Sequence, residues 1–207
     1  MKRIAILMLA LLFAAPLFSD PISFHGKESS LSLKEGKEEV ILKGDAYVSV
    51  GTLSIKSDEI KLSGTDWRYV ECSGKTEIVD EERELEIKAN KLWFDRIEEK
   101  LLLSPWFELE DKKEVLSATG GSLSYDMKNE TLDLMMLVTI MKDSDKGIMR
   151  CKAESVTFSR KDNELSLKGS ARVLWAGDEY KAEVIRIDLD SDEITLEGRI
   201  KGNINGS

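Results

Sequence analysis

Along residues 40–50 the apolar side chains fall on every second position. Val40, Leu42, Ala46, Val48 and Val50 share one parity with Gly44, and Ile41 is the one large aliphatic residue among the first few of the other parity. Leu165, Leu167, Gly169, Ala171, Val173 and Trp175 repeat the arrangement, with Ser, Lys and Arg between them. Strict alternation over this length predicts a β-strand with one buried and one wet face. Turn-forming clusters separate such runs at Val50-Gly51-Thr52, Asp80-Glu81-Glu82, Asp143-Ser144-Asp145 and Ala176-Gly177-Asp178. No helical period occurs after residue 20, so an all-β body is predicted.

The strands repeat. Five segments reach a small or kinking residue at mid-strand: VILKG at Gly44, VECSG at Gly74, LLLSP at Pro105, LSLKG at Gly169 and ITLEG at Gly198. LDLMM fits the same frame with Met136, giving steps of 30, 31, 31, 33 and 29 residues. A second column runs through Ser57, Ala89, Gly120, Ala153 and Ala182, each followed three positions later by Ile60, Leu92, Leu123, Val156 or Ile185. Within each unit the two columns are 13, 15, 15, 17 or 13 residues apart, always an odd number. Loops that lengthen in steps of two keep the same side chains on the same face, because a one-residue slip would turn the apolar set to water. The spacing predicts that 44 pairs with 57 and 46 with 55, so that Gly44 faces Ser57, Gly74 faces Ala89 and Gly169 faces Ala182. The three-residue step from Ala89 to Leu92 predicts a β-bulge there. Glycines and bulges mark places where a strand bends from one sheet into another. Each hairpin is therefore expected to fold across its middle, and the stack to form a long V or flattened roll. Ten strands at ~4.8 Å spacing would make a body about 50 Å long.

Composition narrows the chemistry. The chain has 207 residues, 42% hydrophobic and 33% charged, with a formal net charge of −9. That charge argues against nucleic acid as partner, which demands a clustered positive surface. The N-terminus joins Lys2 and Arg3 to an apolar run from Ile4 to Ala15, then Pro16 and a polar stretch after Ser19. This pattern predicts a secretory signal over residues 1–19, followed by a single domain over 20–207. An uncleaved anchor is the alternative, although the run is shorter than the roughly 20 residues of a membrane span. Cys72 and Cys151, the two cysteines, fall on inward parity of different hairpins and are expected to be buried free thiols. His25 is the single histidine, so a His-based triad has one possible member, in a polar N-terminal stretch, and two cysteines 79 residues apart with one distant His lack the ligand spacing of a zinc site. Asp188, Asp190 and Asp192 are spaced like a calcium loop, but Glu193 stands where that loop needs Gly, and a solvated turn is expected. No catalytic residue, metal or cofactor is predicted. Trp93 and Trp106 fall on outward parity, as an exposed contact patch or as register slips near Pro105.

At Asp20-Pro21-Ile22, Gly44-Asp45-Ala46-Tyr47-Val48, Leu53 through Ile60 and Gly74-Lys75 the chain resembles the LptA/OstA family of lipopolysaccharide transport proteins. The membrane-anchored LptC relatives share the resemblance. It implies an all-β fold of antiparallel hairpin repeats, an open-ended twisted β-jellyroll of about ten or more strands. It further implies a periplasmic protein, exported by its signal or anchored to the inner membrane facing the periplasm. Such a protein would carry lipopolysaccharide or a similar amphipathic lipid between membranes, with acyl chains in an apolar groove. Its partners would be inner- and outer-membrane transport components of OstA-like fold, or further copies stacked head to tail. From the residues themselves, the inner face is expected at Leu42, Val48, Leu53, Ile55, Ile60, Ile87, Leu92, Phe94, Phe107, Leu123, Leu134, Val138, Phe158, Leu167, Val173, Ile185 and Ile187. Ordinary core packing accounts for each of them too; only a gap between the sheets would make them a lipid site. The segments Ile22–Leu33 and Ile194–Ile204 are the candidate edges, open to a partner strand or blunted. A self-assembling structural or adhesive β-scaffold with a solid core is the alternative function.

Overall fold

Alternating sequence becomes strand almost without interruption. The computed structural model describes residues 21–34 and 36–204; the expected export signal over 1–19 lies outside the described residues. The chain opens with β1 (Ile22–His25) and β2 (Glu28–Ser32), followed by the long strands β3 (Glu39–Val50), β4 (Leu53–Ser63), β5 (Tyr69–Asp80) and β6 (Leu85–Asp95). β7 (Lys100–Leu103) and β8 (Phe107–Asp111) are the halves of one further strand, interrupted around the cis Ser104–Pro105 bond. β9 (Leu116–Gly120) and β10 (Ser122–Asp126) are the halves of the next, interrupted at Gly121. Then come β11 (Thr131–Lys142), β12 (Met149–Ser159), β13 (Glu164–Trp175), β14 (Asp178–Asp188), β15 (Glu193–Glu197) and β16 (Lys201–Asn203). Among the described residues the one helical element is a 3₁₀ turn at Thr65–Trp67.

Sequential neighbours pair antiparallel along the whole body. The five predicted hairpins are present as β3–β4, β5–β6, the split pair β7/β8–β9/β10, β11–β12 and β13–β14. β1/β2 and β15/β16 add half a hairpin at either end. Every long strand contributes to two layers. β2, β7, β10 and β15, with the strand halves that pair with them, make the first layer; β1, β8, β9 and β16 mark the second. One side of the roll is the line of bends joining the layers, and the other is formed by the hairpin turns.

The bend is a bulge in which two residues oppose one. Gly44 and Asp45 lie across from Asp58, Gly74 and Lys75 from Asn90, Met136 and Leu137 from Glu154, and Gly169 and Ser170 from Glu183. The predicted pairing of the small columns is therefore corrected. Ala46, not Gly44, faces Ser57, while Thr76 faces Ala89 and Ala171 faces Ala182. The extra residue lies in the glycine-bearing strand rather than between Ala89 and Leu92. The physical reason is the backbone: Gly44 and Asp45 have φ of 67° and 50°, and Gly169 and Ser170 have 78° and 51°. Two successive left-handed residues turn the strand sharply, and glycine takes that conformation without a Cβ penalty.

Glycine is needed a second time at Gly74, because an added Cβ would stand 2.7 Å from Cβ of Asp58 and closer still to its carboxylate. That carboxylate accepts the backbone N–H of Lys75 at 2.9 Å and so closes the bend. Mid-roll the arrangement is inverted. Met136 occupies the bend with φ 66°, and the facing residue is Gly121, where a Cβ would lie 2.8 Å from Cβ of Met136.

Inside, one apolar cluster runs from Val40 to Leu189 through both layers. Replacing Gly74 by Ala is expected to cost about 2–3 kcal/mol, from left-handed strain together with overpacking against Asp58. Gly177→Ala, where φ is 87° and nothing lies within 4 Å of the new methyl, should show the strain alone, about 1 kcal/mol. Urea unfolding of the two variants checks the difference; equal losses would mean that the close approach at the bend is of no energetic consequence.

Candidate functional site

The interior of the roll is the largest organised feature. All seventeen predicted inner-face residues, from Leu42 to Ile187, lie on it at no more than 4% exposure. They come from both layers: Leu42, Ile60, Leu92, Phe94, Leu123, Leu134, Phe158, Leu167, Ile185 and Ile187 from the first, and Val48, Leu53, Ile55, Ile87, Phe107, Val138 and Val173 from the second. The side chains of the two layers pack on one another.

The side opposite the bends is closed by turns, and their chemistry repeats. Asp80, Asp95, Asp111 and Asp126 each accept a backbone N–H two or three residues on, from Arg83, Ile97 and Glu98, Glu114, and Asn129. Asp188 does the same for Asp190 and Ser191, so the acidic triplet there is a turn, as expected. A side-chain oxygen holding the backbone two or three residues ahead is the Asx-turn device. The residue that closes each of the first four turns, Glu84, Glu99, Val115 or Glu130, has a left-handed backbone, and so has Asn163, which closes the turn between β12 and β13. The carbonyl of each accepts an N–H from the next turn on the same side: Lys112 to Glu84, Met127 to Glu99, Asp143 to Val115, Arg160 to Glu130 and Leu189 to Asn163. The turns therefore stack into two hydrogen-bonded lips, one at each layer's free margin.

A polar clasp joins the lips. Arg160, from the first layer's lip, donates from Nε to Asp111 Oδ2 at 2.7 Å and from an Nη to Asp111 Oδ1 at 3.2 Å. The same Nη donates to the backbone oxygen of Arg83 at 2.7 Å. Arg83, on the second layer's lip, is held by Asp80 at 3.1 Å and reaches the carbonyl of Met127 at 3.5 Å. The side chains of Arg160 and Asp111 are 4% and 0% exposed, so this is an ion pair taken out of water. Burial opposes the Arg160 charge, but the hydrogen bond and charge of Asp111 outweigh it and hold the guanidinium above its ordinary pKa. Nearer the C-terminal end Lys146 crosses the seam to Asp192 at 3.0 Å while resting 4.7 Å over the Trp175 ring.

The ends are treated differently from the flanks. Ile22 and Phe24 face Val50 and Val48, and Leu31 faces Val40, so all three carry inward parity. Yet Phe24 and Leu31 are 44% and 60% exposed, because no further strand covers them. At the other end Ile194 and Leu196 face Ile187 and Ile185 and are half-buried. Beyond them Ile200 and Ile204, on either side of β16, are exposed. Both predicted edges are thus free strands with an apolar inner side.

The remaining candidates fall into place. Cys72 and Cys151 are buried free thiols, and burial pushes both up to about 12. His25 stacks on Tyr47 with ring centroids 4.8 Å apart. Trp93 and Trp106 point outward, and Trp93 stacks on Tyr69 at 5.7 Å. The clasp was not anticipated from the sequence. Its one legible trace is the recurrence of Asp at positions 80, 95, 111 and 126, and nothing in that spacing singles out Arg160.

These features define a class: an open-ended antiparallel β-roll with an apolar interior, creased along one side and clasped along the other. One solved structure similar to it is that of LptH from Pseudomonas aeruginosa, described as the LptA homologous periplasmic component of the conserved lipopolysaccharide transport device. The likeness extends over 90% of this chain and 96% of that one, with 13% identity and a TM-score of 0.32. No family model matches the sequence, and no curated protein matches it.

Two predictions follow from this geometry. Asp111→Ala strands a buried guanidinium and is expected to lower stability by about 3–5 kcal/mol, whereas the Asp111→Leu/Arg160→Met pair should recover most of the loss. Chemical denaturation of the three proteins checks this. The second concerns alkaline pH. A thiol raised from 9.0 to about 12 by folding keeps its proton in the native state after the unfolded chain has lost it. The stabilisation is complete below pH 9 and is lost as pH climbs toward 12, so a Cys72→Ala/Cys151→Ala variant should show a shallower alkaline decline than the parent.

Proposed function

We propose that this protein is an exported carrier for an amphipathic lipid such as lipopolysaccharide, working in the periplasm between two membranes and taking acyl chains into the interior of the roll. One observation carries the reading: the apolar interior is continuous from one end of the body to the other, and both ends leave inward-facing apolar residues uncovered. A monomer with no use for its ends would blunt them with charge or cover them. The row of bends acts as a lengthwise hinge, and the clasp between the lips is the contact that parting the layers would break. The sequence resemblance to lipopolysaccharide transport proteins supports the same reading. On this reading the free end strands receive transport components of similar fold or further copies of this chain, in a heterologous contact that propagates.

The close packing of the inner face favours a second reading, a solid-core β-scaffold assembling through its edge strands without lipid. Photocrosslinkers placed at Ile55 and Phe94, inside, and at Lys56, outside, separate the two. A carrier is expected to capture a lipopolysaccharide-type lipid from the inner positions and not from Lys56. Capture from Lys56 alone, or concentration-dependent filaments without co-purifying lipid, would favour the scaffold.

A further inference from the structure

One continuous row of side chains crosses the outer face of the second layer. In its first part the charges alternate: Lys56 faces Glu77, which faces Lys88, which faces Glu108. Thr119 and Thr139 follow. The last four places are Lys152, Arg172, Lys181 and Lys201, directly opposite one another on four adjacent strands. Like charges facing across a ladder destabilise it, and the same row avoids them everywhere else. In a chain of net charge −9 this run of four cations is not a by-product of composition.

The run is only partly neutralised from within. Glu179 pairs with Arg172 and, at 3.0 Å, with Lys181. Among the described residues the side chains of Lys152 and Lys201 have no ion-pair or hydrogen-bond partner, and neither has that of Arg150, exposed on the same face two residues before Lys152. A cleft of about 530 Å³, lined by Arg172, Glu179, Gly202, Asn203 and Ile204, opens at the end of the run. Four cations at ~4.8 Å steps span about 14 Å, which suits an anion with several charged groups better than a single one.

We infer that Lys152, Arg172, Lys181 and Lys201 form a binding site for a phosphate-bearing ligand. Ammonium and guanidinium donors give charge-assisted hydrogen bonds to phosphate oxygens. The position of the row names the source. Lys201 lies on the outer side of β16, and the exposed apolar Ile200 and Ile204 flank that strand. An amphipathic anion at this end would set its chains against the open interior and its phosphates on the row. The opposite end lacks this chemistry, since β1 and β2 present Ser23, His25, Glu28, Ser30 and Ser32 outward. The two ends are therefore not equivalent, and the C-terminal one receives the anionic headgroup. This choice of a lipid source rests on the carrier reading above; the phosphate site itself does not.

The test titrates the mature protein with tripolyphosphate at low salt, following backbone amides by NMR, for the parent and for Lys152→Gln and Lys201→Gln. Both lysines are outward and exposed, so far-UV circular dichroism should be unchanged. Shifts centred on the four cationic positions are expected, with binding weakened about fivefold by each substitution and fading as salt rises. Phosphatidic acid and diacylglycerol in detergent micelles identify the source. Tighter capture of phosphatidic acid by the parent, lost in the double variant, assigns the site to a lipid headgroup. Tripolyphosphate binding with no preference between the lipids assigns it to free phosphate. Shifts at the row with neither lipid bound would overturn the carrier reading and leave the site standing. Absence of shifts at the row, or equal affinity in the variants, overturns the site.

Discussion

Everything in this molecule follows from how each strand is bent. A long antiparallel strand that stays straight builds a flat sheet with one face to hide and nothing of its own to hide it against. Here left-handed residues at the middle of alternate long strands, Gly44 with Asp45, Gly74, Met136 with Leu137 and Gly169 with Ser170, turn those strands back over themselves, and the strands paired with them follow. The chain thereby buries its own apolar face strand by strand. Because the bends are in register along the body, the hidden face becomes one lengthwise interior rather than a series of separate cores. Where glycine is missing from the bend, at Met136, the facing strand supplies Gly121, so the steric requirement is met by the pair of strands.

The second half of the construction is the seam. Hairpin turns are the least restrained parts of a β-body, yet here they are tied lip by lip through carbonyls of left-handed residues, then across the lips by Arg160 and Asp111. A buried ion pair contributes modestly to net stability, because desolvating both charges offsets much of their attraction. What it does supply is specificity of closure: any movement that separates the lips must expose or strand two charges. Crease and clasp together close the body along both sides, and the proposed carrier role would require the clasped side to part.

The outer faces carry a different logic. Along the first part of one row of the second layer, Lys56, Glu77, Lys88 and Glu108 alternate in sign across the strands, which stabilises the ladder. The lapse into four like charges beside the C-terminal end, together with the uncovered apolar strands at both ends, is where the surface departs from what folding alone favours. A roll with chemically distinct ends has a direction, as the proposed carrier role between two compartments would require.

The sequence by itself determined the strand pattern, the five creased hairpins, the buried parity of Leu42, Ile55, Phe94 and the other inner residues, and the burial of both cysteines. Those are consequences of period-two alternation and of repeated glycine, which act locally and can be counted along the chain. The exact facing of residues across the bend escaped it, because pairing Ala46 rather than Gly44 with Ser57 depends on which strand absorbs the extra residue, a choice made by both strands together. The clasp escaped it as well: Asp111 and Arg160 lie 49 residues apart, and their meeting is set by the fold angle and by how the turns stack. So did the cationic row, whose members come from four strands and become neighbours only once the register is known. Periodicity is written in one dimension, whereas opposition across a sheet or a seam exists only after the chain has closed on itself.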